Sequence, residues 1–449
     1  MTDVSLKFRS NPLPIPPADY SPEHFRQLIR VLELYFSQMD AWNLQVYNAL
    51  LGLGMDPFSA TSLDAFGRLR VANPYTLFDS QNRYQKDPQF WDDLTGSATS
   101  TYVGNESSVD LATTTASGDK AIRQTYRVFP YQPGKSLMVL ATFVMNEGKT
   151  NLRQRVGYFN ADNGVFFQVN GTTKSFVLRT NTSGTPSDTR TVNQADWNGD
   201  KLDGTGESGL TLDYTKAQIL YMDFEWLGVG SVRCGFVING QFIVAHTFNN
   251  ANDIDKVYMT TAILPVRYEI ENTGATASAS TLTQICSSVI SEGGYDQKSK
   301  QSWARRTTEV TGINTSFHPL VSVKLANAGA VVLPSTFSFL PTSSDAFEVA
   351  LIKNASLTGA SYNTTDFLNV DYDTSATAMN VTGATITQVV YVAASNQATA
   401  TINQDVGYNF DLQLGTSANG TSDVFTLAAR ALDGSGNCIA SLAFYDLTD

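Results

Sequence analysis

Two spacings of apolar residues divide the chain. Between residues 22 and 50, Phe25, Leu28, Leu32, Tyr35, Met39, Trp42, Val46 and Ala49 recur at steps of three and four. Those steps return each side chain to one face of a helix. Ser21 can cap its start and Pro22 suits the first helical position. Gly52, Gly54 and Pro57 mark its end. A seam repeating every seven residues for three and a half repeats is the pattern of helices that pair with other copies, so oligomerisation is expected. Ile29, Val31, Leu34 and Phe36 widen the apolar face beyond a two-helix seam, which suits three or more helices, or a helix that also packs on a sheet. The competing reading of the same stripe is a helix packed on its own domain.

Beyond residue 90 the spacing shifts toward two. Buried strands are expected at 137–145, 219–227, 231–238 and 241–248, with a hairpin over 164–179. Asn239-Gly240 between two apolar runs marks a second hairpin, because both turn residues must take positive φ. After a polar stretch around 297–302, strands are expected again at 321–325, 347–352, 387–392, 422–430 and 438–445. Many strands broken by Gly and Asn turns, with no second helical stretch, indicate sandwiches or barrels.

The expected fold is mainly all-β. An N-terminal arm and anchoring helix (1–55) leads through a connector (56–90) to a jelly-roll-like β-sandwich (91–295). A linker (296–315) then leads to a second, C-terminal β-sandwich (316–449). Pro12, Pro14, Pro16 and Pro17 keep the arm extended, and an extended arm buries little unless it docks on a neighbour.

Composition narrows the function. Of the 449 residues only 16% are charged, against about 25% in ordinary soluble proteins. Ser, Thr, Asn and Gln supply the remaining polarity, as in extracellular β-proteins and virion parts. The net charge of −12 and the absence of a basic cluster argue against a nucleic-acid partner. There is no 18-residue apolar run, so membrane insertion is not expected, nor does the N-terminus read as a signal peptide. Cys234, Cys286 and Cys438 are too scattered for a metal site or disulfide framework. Buried free thiols, from assembly in a reducing cytoplasm, are expected instead.

Candidate chemistry is sparse. The three histidines, His24, His246 and His318, lie in separate elements, and no nucleophile elbow or HExxH occurs. Asp223 and Glu225 share one strand face, as a glycosidase carboxylate pair would, but the third acidic position of that pattern is Gly228. Asp196, Asn198, Asp200 and Glu207 have the spacing of oxygens in a Ca²⁺ loop, a weak candidate because Lys201 stands where a glycine is required. No phosphate-binding loop is present. No catalytic residue, metal or cofactor is assigned, and the chain is expected not to be an enzyme.

Five segments carry a resemblance. The arm and helix, the stretch Asp64-Ala-Phe-Gly-Arg-Leu-Arg-Val-Ala-Asn-Pro-Tyr-Thr-Leu-Phe-Asp79, and the C-terminal run from Asp423 to Asp446 resemble virion structural proteins of tailed phages, cyanophages included. Asp196-Trp-Asn-Gly-Asp200 and the run from Asp223 to Phe236 look like a surface module with a concanavalin-type jelly roll. The resemblance implies a virion component made in the host cytoplasm: a fibre, spike or capsid decoration, homotrimeric, attached to other virion proteins through residues 1–55. It also implies an alternative, a carbohydrate-binding module for host adsorption with a surface glycan as partner.

Overall fold

The helix forms where the three-and-four spacing places it: α1 runs from Pro22 to Gly52. The structure is a computed structural model that describes residues 22–52, 64, 73–296, 298–364, 369–393, 402–406 and 410–448. The proline-rich arm lies outside the described residues. So do the side chains of Trp42, Val46 and Ala49 within α1. Met1–Val71 and Ala72–Asp449 are separate units.

The second unit begins with fifteen strands. They are β1 (Tyr75–Gln81), β2 (Phe90–Thr95), β3 (Thr99–Val103), β4 (Ser108–Thr113), β5 (Lys120–Thr125), β6 (Leu137–Val144), β7 (Leu152–Phe159), β8 (Gly164–Asn170), β9 (Thr173–Thr180), β10 (Ser187–Asn193), β11 (Gln218–Phe224), β12 (Val232–Ile238), β13 (Gln241–Phe248), β14 (Val266–Asn272) and β15 (Ser280–Ser291). One sheet has the order β13-β12-β11-β6-β15-β4-β3, with β1 also on β15; the other has the order β10-β9-β8-β7-β14-β5-β2. All these pairs are antiparallel. The two sheets face each other in a jelly-roll-like sandwich. Asn239 (φ 53°) and Gly240 (φ 77°) make the expected turn between β12 and β13.

Inward side chains alternate with outward ones along each strand, as a sandwich requires. Phe143, Phe167, Phe176 and Phe236 are fully buried. Phe167 has ring centroids of Phe143, Phe176 and Phe236 at 6.1, 5.6 and 5.3 Å, and Trp197 lies 4.8 Å from Phe176. Such pairs add about 0.5–1.5 kcal/mol each beyond area burial. A polar pin joins the sheets at one end. Arg123 of β5 donates to Gln284 of β15 at 3.1 Å and pairs with Asp92 at 2.7 Å, while Asn82 also donates to Gln284 at 2.8 Å. Arg123 is 1% exposed, so its charge is tolerable only because it is met on several sides.

The remaining strands are β16 (Lys300–Arg305), β17 (Val310–Ile313), β18 (His318–Leu325), β19 (Val332–Pro341), β20 (Phe347–Lys353), β21 (Ser356–Thr358), β22 (Asn363–Thr364), β23 (Val370–Asp373), β24 (Ala378–Asn380), β25 (Thr385–Val392), β26 (Ile402–Asp405), β27 (Val424–Ala431) and β28 (Gly436–Asp446). They build a sheet β16-β28-β19-β26, with β17 on β28, and a sheet β22-β23-β18-β27-β20-β25. The ribbon β21-β24 lies over the second of these, where Met379 and Val381 pack on Ala350, Ile352 and Ala428.

Two expected boundaries move. Residues 296–315, expected as a linker, carry β16 and β17. Ser302 and Ala304 point inward while Gln301, Trp303 and Arg305 point out, so a segment without an apolar run still pairs with β28. The expected connector 56–90 ends earlier too, since β1 is already a strand of the jelly roll, with Leu77 and Phe78 in its core.

The two sandwiches share a core. Val331, Leu333, Phe410 and Leu447, all from the C-terminal part, are buried in the same apolar cluster as Phe78, Phe90 and Phe129. Gln413 donates to the Val128 carbonyl at 2.9 Å, and the Thr416 amide to that of Tyr126 at 3.0 Å. Leu333→Ala is therefore expected to cost about 2–5 kcal/mol and to lower one common calorimetric transition. Two well-separated transitions in the native chain would contradict a shared core.

Candidate functional site

Several of the residues expected to oligomerise, with apolar neighbours beside them, are exposed on α1. Along the described part of α1, Phe25 and Phe36 are 53% and 59% exposed, and Ile29, Leu32, Leu34 and Met39 are also exposed. Leu28 and Tyr35 are half-buried. Tyr35 and Phe36 rings meet edge to edge at 5.9 Å. The seam positions Phe25, Leu28, Leu32, Tyr35 and Met39 thus share a helix on which large side chains remain in water. Arg26 and Glu23 supply a distant ion pair at 4.0 Å, too exposed to add much stability. Burying that stripe would recover roughly 25 cal/mol per Å² of apolar surface.

The Ca²⁺ candidate loop is committed elsewhere. Asp200 accepts the amides of Leu202 at 2.8 Å and Ser208 at 2.7 Å, one on each carboxylate oxygen. Burial works against its charge, but these amides outweigh that and hold the carboxyl below its ordinary value. Asn198 pairs through its amide with both the N–H and the carbonyl of Thr247, at 2.8 and 2.9 Å. Gly199 and Asp200 amides add bonds to Ala245 and Val244 of β13. The loop therefore closes an open sheet edge, which would otherwise invite pairing with another chain. Asp196 and Glu207 stay exposed. Among the described residues no cluster of three or more His, Cys, Asp or Glu side chains is set to hold a metal ion.

The carboxylate pair does not open on a cleft. Asp223 is buried against Arg233, and Glu225 accepts the Ser231 amide at 2.9 Å. The histidines stay apart. His24 is in α1 and His318 starts β18. His246 is buried in β13, where Nδ1 faces the Asn198 amide at 3.4 Å. Burial, helped by the Arg190 charge, lowers its pKa to about 4. Cys234 and Cys438 are buried free thiols, and burial raises Cys438 to about 12, far from a reactive thiolate. Among the described residues no helix is long and apolar enough to cross a membrane.

A charge ladder on the outer face of the β7–β8–β9–β14 sheet went unrecognised in the sequence, although alternate charges at 153/155 and 267/269/271 carried its signal. Glu269 accepts from Arg267 at 2.6 Å and Arg155 at 3.3 Å, with Lys120 at 3.7 Å. Arg179 holds Asp188 with both arms, at 2.7 and 2.8 Å. Three guanidiniums lie over Phe159 and Phe166 at 5.2–5.3 Å. Burial opposes the Glu269 charge, yet Arg267, Arg155 and Lys120 hold it at about 2.

No family model and no curated protein matches the sequence. Solved structures give partial likenesses. The carbohydrate recognition domain of Emp47p overlies 52% of this chain and 98% of its own at 11% identity, with a TM-score of 0.30. Bacillus licheniformis β-glucanase overlies 49% and 99% at 8% identity, TM-score 0.31. Arcelin-5, a lectin-like defence protein from Phaseolus vulgaris, overlies 49% and 99% at 10% identity, TM-score 0.31.

The titrations set a pH profile. Folded His246 resists protonation that the unfolded chain accepts, so stability is expected to fall as pH drops from 6.5 toward 4, by at most about 3 kcal/mol. Glu269 loses its contribution lower still, between 4.5 and about 2. Melting temperatures recorded against pH check this, and His246→Gln should flatten the upper limb alone.

Proposed function

We propose that the protein is a non-enzymatic structural component of a virion. It assembles as a homotrimer through α1 and displays its fused sandwiches as a fibre, spike or capsid decoration, with residues 1–55 attached to other virion proteins. The observation that carries this reading is the stripe on α1, from Phe25 to Met39, whose large apolar residues stay in water on a single chain. Such a stripe is ordinarily covered by a partner. Exposure of Leu34 and Phe36 beside the seam supports three helices over two, because a trimer covers a wider arc of each. The low charge and the resemblance to phage virion proteins give the assembly its setting. Host adsorption through glycan contact is compatible with the same assembly, since three displayed copies raise the effective concentration of a weak site.

Light scattering on the full chain tests the reading. The expected mass is three times the 48.8 kDa of one chain. Introducing Leu32→Glu with Phe25→Glu should return it to one chain mass while the circular dichroism of the sandwiches is kept. A native chain that is monomeric at micromolar concentration would remove the proposal.

A further inference from the structure

β25 ends the sheet β22-β23-β18-β27-β20-β25, and among the described residues no strand pairs with its outer edge. A strand in that position presents a row of backbone N–H and C=O groups that another strand can take up. A bulge at Thr387 bends its start, and from Gln388 to Val392 the ladder with β20 is regular. Val390 and Val392 face the core of the C-terminal sandwich. That leaves Val389 and Tyr391 on the outer face, 41% and 64% exposed.

The other edges are blunted. β1, β2, β10, β16 and β26 carry charged residues. β22 is two residues long, and the ladder of β17 is interrupted. Lys86 donates to the Ser100 carbonyl on β3 at 2.7 Å, and the Asn198–Asp200 segment closes β13. β25 reads Thr-Ile-Thr-Gln-Val-Val-Tyr-Val, with no charge, proline or glycine to discourage pairing.

The same composition selects the occupant. Two copies of a chain with net charge −12 repel, so a contact between them belongs where no like charges meet. β25 can meet itself on those terms. The nearest charges, on β20, are already paired: Glu348 with Arg430 at 2.7 Å and Lys353 with Asp423 at 2.8 Å. Antiparallel pairing about Val390 sets Val389 across from Tyr391 of the second copy, twice, and Val390 across from its own equivalent. Aromatic and β-branched partners of this kind stabilise an antiparallel ladder.

We propose that β25 pairs antiparallel with β25 of a second copy about a two-fold axis at Val390, joining two sheets into one. The contact does not use α1. A two-fold contact cannot lie on a three-fold axis, so where α1 forms trimers the pairing joins chains of different trimers.

Sedimentation velocity on the full chain tests it, in the Phe25→Glu and Leu32→Glu background so that the helix does not contribute. A reversible monomer–dimer equilibrium is expected between micromolar and millimolar concentration. Adding Val389→Lys with Tyr391→Lys sets like charges across the axis and should weaken the dimer tenfold or more. Adding Val389→Glu with Tyr391→Lys instead sets opposite charges across it and should restore the dimer. Both side chains are exposed, so circular dichroism of the sandwiches should be unchanged in each variant. No dimer at millimolar concentration, a dimer that survives the lysine pair, or one that the glutamate and lysine pair fails to restore would each overturn the proposal. Failure of the trimer reading shows differently, as a native mass that the α1 charges leave unchanged.

Discussion

Water on an apolar helix face is the constraint from which the functional account follows. A globular chain hides such a face against its own core or against another chain. Phe25, Leu32, Leu34, Phe36 and Met39 are exposed on α1. The helix is also poor in the features that steady an isolated helix in water. Its last turn has no basic residue, and its described ion pair is long and exposed. The proposed self-association would supply what these local terms do not.

The second unit keeps exposed apolar residues of its own, Trp303 and Tyr391 among them, but buries a large apolar core. Jelly roll and C-terminal sandwich bury Leu333, Phe410 and Leu447 with Phe78 and Phe129, and backbone bonds across the junction keep the two in register. A body built this way holds together as one piece. It also creates a cleft whose walls come from both sandwiches, which neither would form alone. Where the jelly roll could offer an open edge at β13, the Asn198–Asp200 segment is bonded along it. That edge is thereby closed to pairing with another chain.

Much of the fold could be read from the chain. The stripe from Phe25 marked α1, and Asn239-Gly240 marked a hairpin, because both signals are local. β15 was missed although it is the longest strand of the jelly roll. Gln284 and Ser287 face inward there, so its polar and apolar residues do not alternate cleanly. β16 was taken for linker because its inward residues are only Ser302 and Ala304. β7 hides its strand character behind Arg153, Gln154 and Arg155, whose charges are met by neighbouring strands. The exposed apolar stripe on α1 was legible for the same reason as the helix. The cleft was not, since Gln124, Asn163, Asn181 and Arg267 of the jelly roll meet Ala328, Thr416 and Ser417 of the second sandwich only once the two are packed together. Asp200 was only a weak Ca²⁺ candidate by spacing, and spacing alone does not reveal a carboxylate that accepts two backbone amides.

The account turns on what covers residues 22–39 in solution. Hydrogen exchange of those amides, followed by mass spectrometry across a dilution series, reads that coverage directly. If copies of the chain cover the stripe, protection will be strong at high concentration and will vanish on dilution, while the amides of β6 and β14 stay protected throughout. Protection of the helix that is independent of concentration, or absent at every concentration, would contradict it.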